Sequence, residues 1–110
     1  MVKFLVSGNY IGEGIRGLLT EGGSSRRAAI EKLATSLGGN VECIYYAFGE
    51  YDVYFIINVP DRTAMASFSL KASATGLVKV KCTALLTPEE IDDAVKRTSE
   101  YRAPGQSWFQ

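Results

Sequence analysis

The stretch Ala47-Phe48-Gly49-Glu50-Tyr51-Asp52-Val53-Tyr54 decides the fold, because it sets a glycine turn between two runs of aromatic and β-branched residues. Residues of these types favour strands, and a short turn between two such runs predicts a β-hairpin. The second run starts with a tyrosine and an acid, so one end of the hairpin is polar. We expect its strands at residues 41–48 and 51–59.

Strand and helix patterns alternate on both sides of the hairpin. Gly22-Gly23 interrupts the first helical pattern, which predicts one helix with a break or two helices. Thr87-Pro88-Glu89-Glu90 has the spacing of a capping box with proline at the first helical position, and it predicts a further helix near the C-terminus. The predicted order is strand, helix, strand, strand, helix, strand, helix, at residues 2–7, 11–37, 41–48, 51–59, 61–76, 77–86 and 87–98.

Two strand–helix–strand units in one chain restrict the topology. Right-handed crossovers and interleaved strands give a four-stranded antiparallel sheet in the order 4-1-3-2, with both helices on one face. The sequence therefore predicts an α+β, ferredoxin-like βαββαβ domain with an extra C-terminal helix. We expect this single domain to span residues 1–98, followed by a tail at residues 99–110.

Composition excludes several classes of function. The chain has 110 residues, of which 46% are hydrophobic and 22% are charged, as in an ordinary globular domain. Its twelve basic and twelve acidic residues cancel, which disfavours nucleic-acid partners. The sequence holds no apolar run near the ~18 residues of a membrane span, so we expect a cytoplasmic protein with no membrane partner. Because histidine is absent from the sequence, His-based triads and histidine-ligated zinc are excluded, and we expect neither metal nor cofactor.

The two cysteines are predicted to be free thiols. Cys43 and Cys82 lie in apolar stretches on opposite outer strands of the predicted sheet. Three strand spacings separate these strands, or roughly 14 Å. A disulfide requires α-carbons only ~6 Å apart.

Polar side chains converge at one end of the predicted sheet. Strands three and four both run against strand one, so their starts lie beside its end. Alternation along the strands directs part of this group toward the sheet face that the helices leave open. Hydroxyls, an amide, an acid and two lysines on an apolar floor are typical of a small-ligand site, and we expect a small apolar or anionic ligand. The candidate ligand-binding residues are Ser7, Asn9, Tyr10, Tyr51, Asp52, Tyr54, Lys79 and Lys81.

Asp52 has two interpretations. In a closed cavity its carboxylate could serve as a general base while Lys79 or Lys81 stabilises an anion. Alternatively, the carboxylate caps the turn or pairs with a lysine. The residues leave both interpretations open, and no catalytic residue is assigned.

The open face of the predicted sheet favours self-association. It carries Leu5, Tyr54 and Ile56, a patch too apolar for a lone chain of this size, so we expect a homodimer or a higher even-numbered homo-oligomer. In the tail, Trp108 and Phe109 are expected to dock on this subunit or on a neighbouring one. For residues 41–48 both faces are apolar, and the register of that strand is left unassigned.

Three other sequence patterns are weaker indications of a binding site. Gly22-Gly23-Ser24-Ser25-Arg26-Arg27 would surround a helix N-terminus with hydroxyls and arginines, as in an anion site, yet serine caps with solvated arginines are common. The glycines of residues 8–14 depart from the dinucleotide-binding fingerprint. An RNA-recognition sheet needs aromatics on its open face, whereas Phe4 and Phe55 are predicted to point inward, so RNA binding is the least favoured function.

Four blocks of the chain resemble the GYD domain family. They are Val6-Ser7-Gly8-Asn9-Tyr10, Gly22-Gly23-Ser24-Ser25-Arg26-Arg27-Ala28, Phe48-Gly49-Glu50-Tyr51-Asp52-Val53-Tyr54 and Leu85-Leu86-Thr87-Pro88-Glu89-Glu90. The family takes its name from a glycine, a tyrosine and an aspartate, which here would be Gly49, Tyr51 and Asp52, with Glu50 between the first two. The resemblance covers most of residues 3–92.

The resemblance implies a domain of the dimeric α+β barrel type and carries over no catalytic residue. The function we expect is a homo-oligomeric small-molecule-binding or regulatory domain with a cavity at the sheet end near the Gly49-Tyr51-Asp52 turn. The alternative is a cofactor-free enzyme for proton transfer or oxygenation that uses Asp52 as its base, a chemistry suggested by fold analogy.

Overall fold

A computed structural model describes residues 1–108 and contains one four-stranded antiparallel sheet in the order β2-β3-β1-β4. This is the predicted 4-1-3-2 order read from the other edge, and the α+β, ferredoxin-like prediction is confirmed. The elements are β1 (Val2–Tyr10), α1 (Glu13–Ser36), β2 (Asn40–Tyr46), β3 (Val53–Val59), α2 (Arg62–Ala74), β4 (Val78–Leu85) and α3 (Pro88–Lys96).

Side-chain caps start α2 and α3 where the sequence predicts. The Asp61 carboxylate accepts the Ala64 backbone N–H at 2.8 Å at the start of α2. At the start of α3, the Thr87 hydroxyl accepts the Glu90 N–H and the Glu90 carboxylate accepts the Thr87 N–H. Such reciprocal bonds satisfy backbone donors that a helix leaves unpaired.

The predicted break in α1 is present at Gly22, whose φ of 80° and ψ of 170° are not helical. Positive φ is unfavourable for residues with a Cβ atom, and glycine adopts it without that penalty. Helix α1 is therefore one helix that is interrupted at a single glycine.

The core lies between the helices and one face of the sheet. The residues predicted to point inward on β3, Val53, Phe55, Ile57 and Val59, are all buried. They pack with other buried residues from the central strand and both helices, which are Val6, Tyr10, Ile30, Ala34, Met65 and Phe68. Alternation of period two on β1 and β3 thus puts every second residue into the core.

The register of β2 is fixed by a β-bulge between Val41 and Cys43. Val41 and Ile44 pack against the core, whereas Tyr45 lies opposite Tyr54 and is 71% exposed. The bulge shifts the alternation by one residue, so no simple period could have assigned this strand from the sequence.

The thiols of Cys43 and Cys82 are free, as predicted, on the two edge strands. Burial raises the pKa of the Cys82 thiol, and a hydrogen bond with Ser69 partly opposes that shift. Cys43 lies opposite Ile56, and Cys82 belongs to the set of side chains that pack on the core, so the two thiols are on different faces of the sheet.

The C-terminal part extends away from the sheet. None of the residues of α3 is buried, and Ile91 and Val95 are 47% and 76% exposed. Trp108 is 63% exposed, with the Arg102 guanidinium 5.9 Å from its ring centroid. The docking predicted for Phe109 falls outside the described residues. Among residues 1–108, none of the helices is both long enough and apolar enough to cross a membrane.

Two glycines of α1 predict opposite effects of the same substitution. A Cβ atom at Gly14 would lie 1.9 Å from the Leu77 carbonyl oxygen, whereas at Gly17 it would meet no atom of the described residues within 4 Å. We expect Gly14→Ala to lower the free energy of unfolding by about 1–3 kcal/mol, because α1 must move away from the α2–β4 loop. Gly17→Ala should raise it by up to about 1 kcal/mol, since alanine favours the helix. Urea unfolding measures both, and a Gly14→Ala protein as stable as the wild type would contradict the close approach.

Candidate functional site

The ends of three strands meet at one end of the sheet, as the antiparallel order requires. Gly8 of β1 lies opposite Val53 at the start of β3, and Tyr10 lies opposite Val78 at the start of β4. The loop at residues 47–52 enters β3 at the same end. Segments that are distant in sequence therefore lie side by side here.

Asp52 joins this loop to the end of β1 by three hydrogen bonds and closes the loop by a fourth. The Tyr10 backbone N–H donates to Asp52 Oδ2 at 2.9 Å. The Asp52 N–H donates to the Gly8 carbonyl at 2.9 Å and to Asn9 Oδ1 at 3.2 Å, and the Asp52 carbonyl accepts the Ala47 N–H at 2.8 Å. These contacts favour the interpretation that the carboxylate holds the turn in place.

Other predicted residues gather on the open face of the sheet. Ser7 is buried in a row between Tyr54 of β3 and Lys81 of β4, and Lys79 lies opposite Asn9. The ring of Tyr51 meets that of Tyr54 edge to face, with centroids 5.8 Å apart. The structure thus brings the predicted group to one sheet end, with the lysine side chains exposed.

A cavity of about 680 Å³ lies on the other side of the sheet, between its inner face and the two helices. Of the eight predicted residues, Asn9 and Tyr10 line it. The other six are outside its lining. Asn9 and Tyr10 therefore connect the polar sheet end to the enclosed space.

The cavity has apolar walls and a few charged or hydroxylic residues. The apolar lining comes from the sheet and from both helices, and it includes Val6, Leu18, Ile30, Leu33, Val53, Phe55, Phe68 and Val80. Gly17 of α1 also lines the cavity, and the space where its side chain would start is open. A largely apolar enclosure with a small number of polar groups is the usual composition of a ligand pocket.

Tyr46 contacts α1 next to its break at Gly22. Its hydroxyl donates to the Gly23 carbonyl oxygen at 3.3 Å. Burial, with a smaller contribution from Tyr10, raises the pKa of Tyr46 to about 12, and the nearby Arg26 and Arg27 oppose that shift. The hydroxyl is therefore protonated at neutral pH and is a hydrogen-bond donor.

Arg26 is a functional candidate that the sequence interpretation assigned to a different setting. It lies just after the break of α1 and lines the cavity, whereas Arg27 faces outward toward Glu31. The signal was present in the sequence, because Arg26 precedes Ile30, Leu33 and Leu37 at helical spacing and so shares their inner stripe.

The bonding of Arg26 is incomplete. Its NH1 atom lies 3.6 Å from Glu21 Oε2. Its Nε atom is enclosed, and no acceptor within residues 1–108 is in hydrogen-bond range. The same part of the chain holds no cluster of three or more cysteine, aspartate or glutamate side chains arranged for a metal ion.

Comparison with known proteins identifies a family. The family model described as the GYD domain matches residues 4–95, from β1 into the last turn of α3. The search found no match among curated proteins or solved structures.

The hydrogen bonds of Asp52 predict how the sheet end responds to substitution. Asp52→Ala should lower the free energy of unfolding by about 1–3 kcal/mol, because it leaves the Tyr10 N–H without its acceptor. Asp52→Asn should have a smaller effect, since the amide oxygen can still accept that bond. Chemical denaturation followed by circular dichroism measures both changes. Glu50→Ala, at an exposed position of the same loop, is the control. Equal stability of Asp52→Ala and Glu50→Ala would rule out a holding role for the carboxylate.

Proposed function

The chain belongs to the GYD domain family, and on that premise we propose that it is a homo-oligomeric domain that binds a small molecule in the cavity between its sheet and helices. The lining of this cavity includes Asn9 and Tyr10 at the polar sheet end. A regulatory role would follow if ligand binding alters self-association.

The observation that carries the proposal is the size of the cavity. Protein interiors are close-packed, and voids larger than a water molecule are few. A cavity of about 680 Å³ in a chain of 110 residues is within the range of ligand sites, roughly 300–1,000 Å³. Without a ligand its apolar walls would be exposed to water, which is unfavourable.

The open face of the sheet supports association with a second copy of the chain. Leu5, Tyr54 and Ile56 form an apolar strip there, and Tyr45 beside it is 71% exposed. In this proposal the face packs on its equivalent in a second subunit, as the dimeric α+β barrel type implies. Ser7, Tyr51, Asp52, Tyr54, Lys79 and Lys81 would then lie in or beside the interface, and Asn9 and Tyr10 would contact the ligand.

Helix α3 adds a second argument for a partner of the same sequence. Its apolar residues Ile91 and Val95 are exposed, and its acidic residues are Glu89, Glu90, Asp92 and Asp93. The open face carries the exposed lysines Lys79 and Lys81. An acidic helix with an apolar stripe is complementary to an apolar face with lysines at its margin.

Binding is favoured over the enzymatic alternative. A general base must lie within reach of the proton that it takes from the substrate. The hydrogen bond from the Tyr10 N–H instead ties the Asp52 carboxylate to the end of β1. Asp52 also lies outside the lining of the cavity. The carboxylate is therefore better suited to holding the site than to chemistry in it.

A pair of substitutions at Gly17 tests the cavity. Gly17→Phe places a ring in the open space and should weaken binding of the neutral fluorescent probe N-phenyl-1-naphthylamine by about tenfold or more, whereas Gly17→Ala should bind like the wild type. Fluorescence titration gives the dissociation constants, and circular dichroism verifies the fold. Native mass spectrometry of the purified protein would identify a retained metabolite. Failure of all three proteins to bind the probe would refute the cavity as a binding site.

Self-association is tested by one charge on the open face. We expect the wild type to sediment as a dimer or a multiple of one at micromolar concentration, and Ile56→Lys to sediment as a monomer, because the lysine would be buried without a partner. Ala66→Lys, at an exposed position of α2, is the matched control and should keep the wild-type mass. A monomeric wild type would end this part of the proposal.

A further inference from the structure

Arg26 is the most enclosed charged side chain that we find in the lining of the cavity. It is 30% exposed, compared with 45% for Glu21 and 72% for Glu13. Lys71, the other cation of the lining, is exposed at the surface of α2. The position of Arg26 on the inner stripe of α1 places a guanidinium beside a largely apolar space.

The Arg26 guanidinium has N–H donors that are not used by the contacts described above. Arginine carries five N–H donors in a planar fork, which matches the two oxygens of a carboxylate. Here NH1 is 3.6 Å from Glu21, longer than an ordinary hydrogen bond, and Nε has no acceptor in the described part of the chain. Because Nε is enclosed while the side chain as a whole is 30% exposed, a ligand oxygen would meet the terminal NH groups of the guanidinium rather than Nε.

The surroundings of Arg26 select the charge of the ligand. Glu21 already neutralises part of the positive charge and would repel a dianion such as a phosphate monoester. A carboxylate carries a single negative charge. Tyr46, whose electrostatic interaction with Arg26 shows that it is nearby, is protonated at neutral pH and so adds no charge of its own.

We propose that the cavity binds an apolar monocarboxylic acid, with the carboxylate on the Arg26 guanidinium and the hydrocarbon part against the apolar walls. This inference rests on the proposed function, because it names the class of ligand for the same cavity. In this proposal Arg26 makes the protein prefer acids to neutral molecules. The apolar walls contribute the part of the binding affinity that acids and neutral molecules share.

Isothermal titration calorimetry with decanoate and decan-1-ol tests the assignment, since these ligands share a hydrocarbon chain and differ in charge. The wild type should bind decanoate about tenfold or more tightly than the alcohol. Arg26→Gln should lose this preference and keep its affinity for the alcohol. Arg27→Gln is the matched control, because Arg27 is the next residue and faces Glu31 at the surface, 4.0 Å away.

The outcomes separate this inference from the proposed function. Equal affinities of the wild type for acid and alcohol, or an acid preference that survives in Arg26→Gln, would overturn the role of Arg26 and leave the cavity as a binding site. If the wild type binds neither ligand nor N-phenyl-1-naphthylamine, both proposals fail. Should Arg26→Gln not fold, Arg26→Lys keeps the charge without the planar fork, and an unchanged preference in that variant would equally contradict bidentate binding.

Discussion

The pairing of β1 with β3 on one side and β4 on the other is the constraint on which the rest of the structure depends. Because β1 is central and its side chains alternate, Val6 belongs to the core and the next residue, Ser7, belongs to the open face. A shift of one residue would exchange the two surfaces along the whole strand. The Asp52 hydrogen bonds to the end of β1 hold the loop before β3 against such a shift.

Asn9 and Tyr10 connect the end of β1 to the proposed ligand site. Both belong to the network around Asp52, and both line the cavity. The polar groups that order the loop are thus continuous with the wall of the proposed ligand site. A change in the conformation of the loop at residues 47–52 would therefore alter the cavity wall through Asn9 and Tyr10, without a rearrangement of the whole sheet.

The topology could be predicted from the sequence because several independent signals agree. Alternation on β3 marks its buried face, Thr87 and Glu90 mark the start of α3, and Gly22 marks the break in α1. The side of the sheet that holds the cavity could not be predicted in this way, because it depends on how far the helices stand from the sheet. That distance is set by close backbone contacts, such as Gly14 against Leu77, which have no period in the sequence. For Arg26, the glycine and serine neighbours indicated the start of a helical segment, which the break at Gly22 confirms, and the spacing to Ile30 indicated an inner position.

The bulge in β2 has a consequence for how copies of this protein can meet. A regular edge strand offers unpaired backbone groups to the edge of another sheet, and sheets can grow in this way into aggregates. At one edge the bulge next to Cys43 interrupts that pattern, and at the other edge Lys79 and Lys81 of β4 repel a like-charged strand. The sheet is therefore protected against extension sideways, and the self-association proposed above would use the open face instead of the edges.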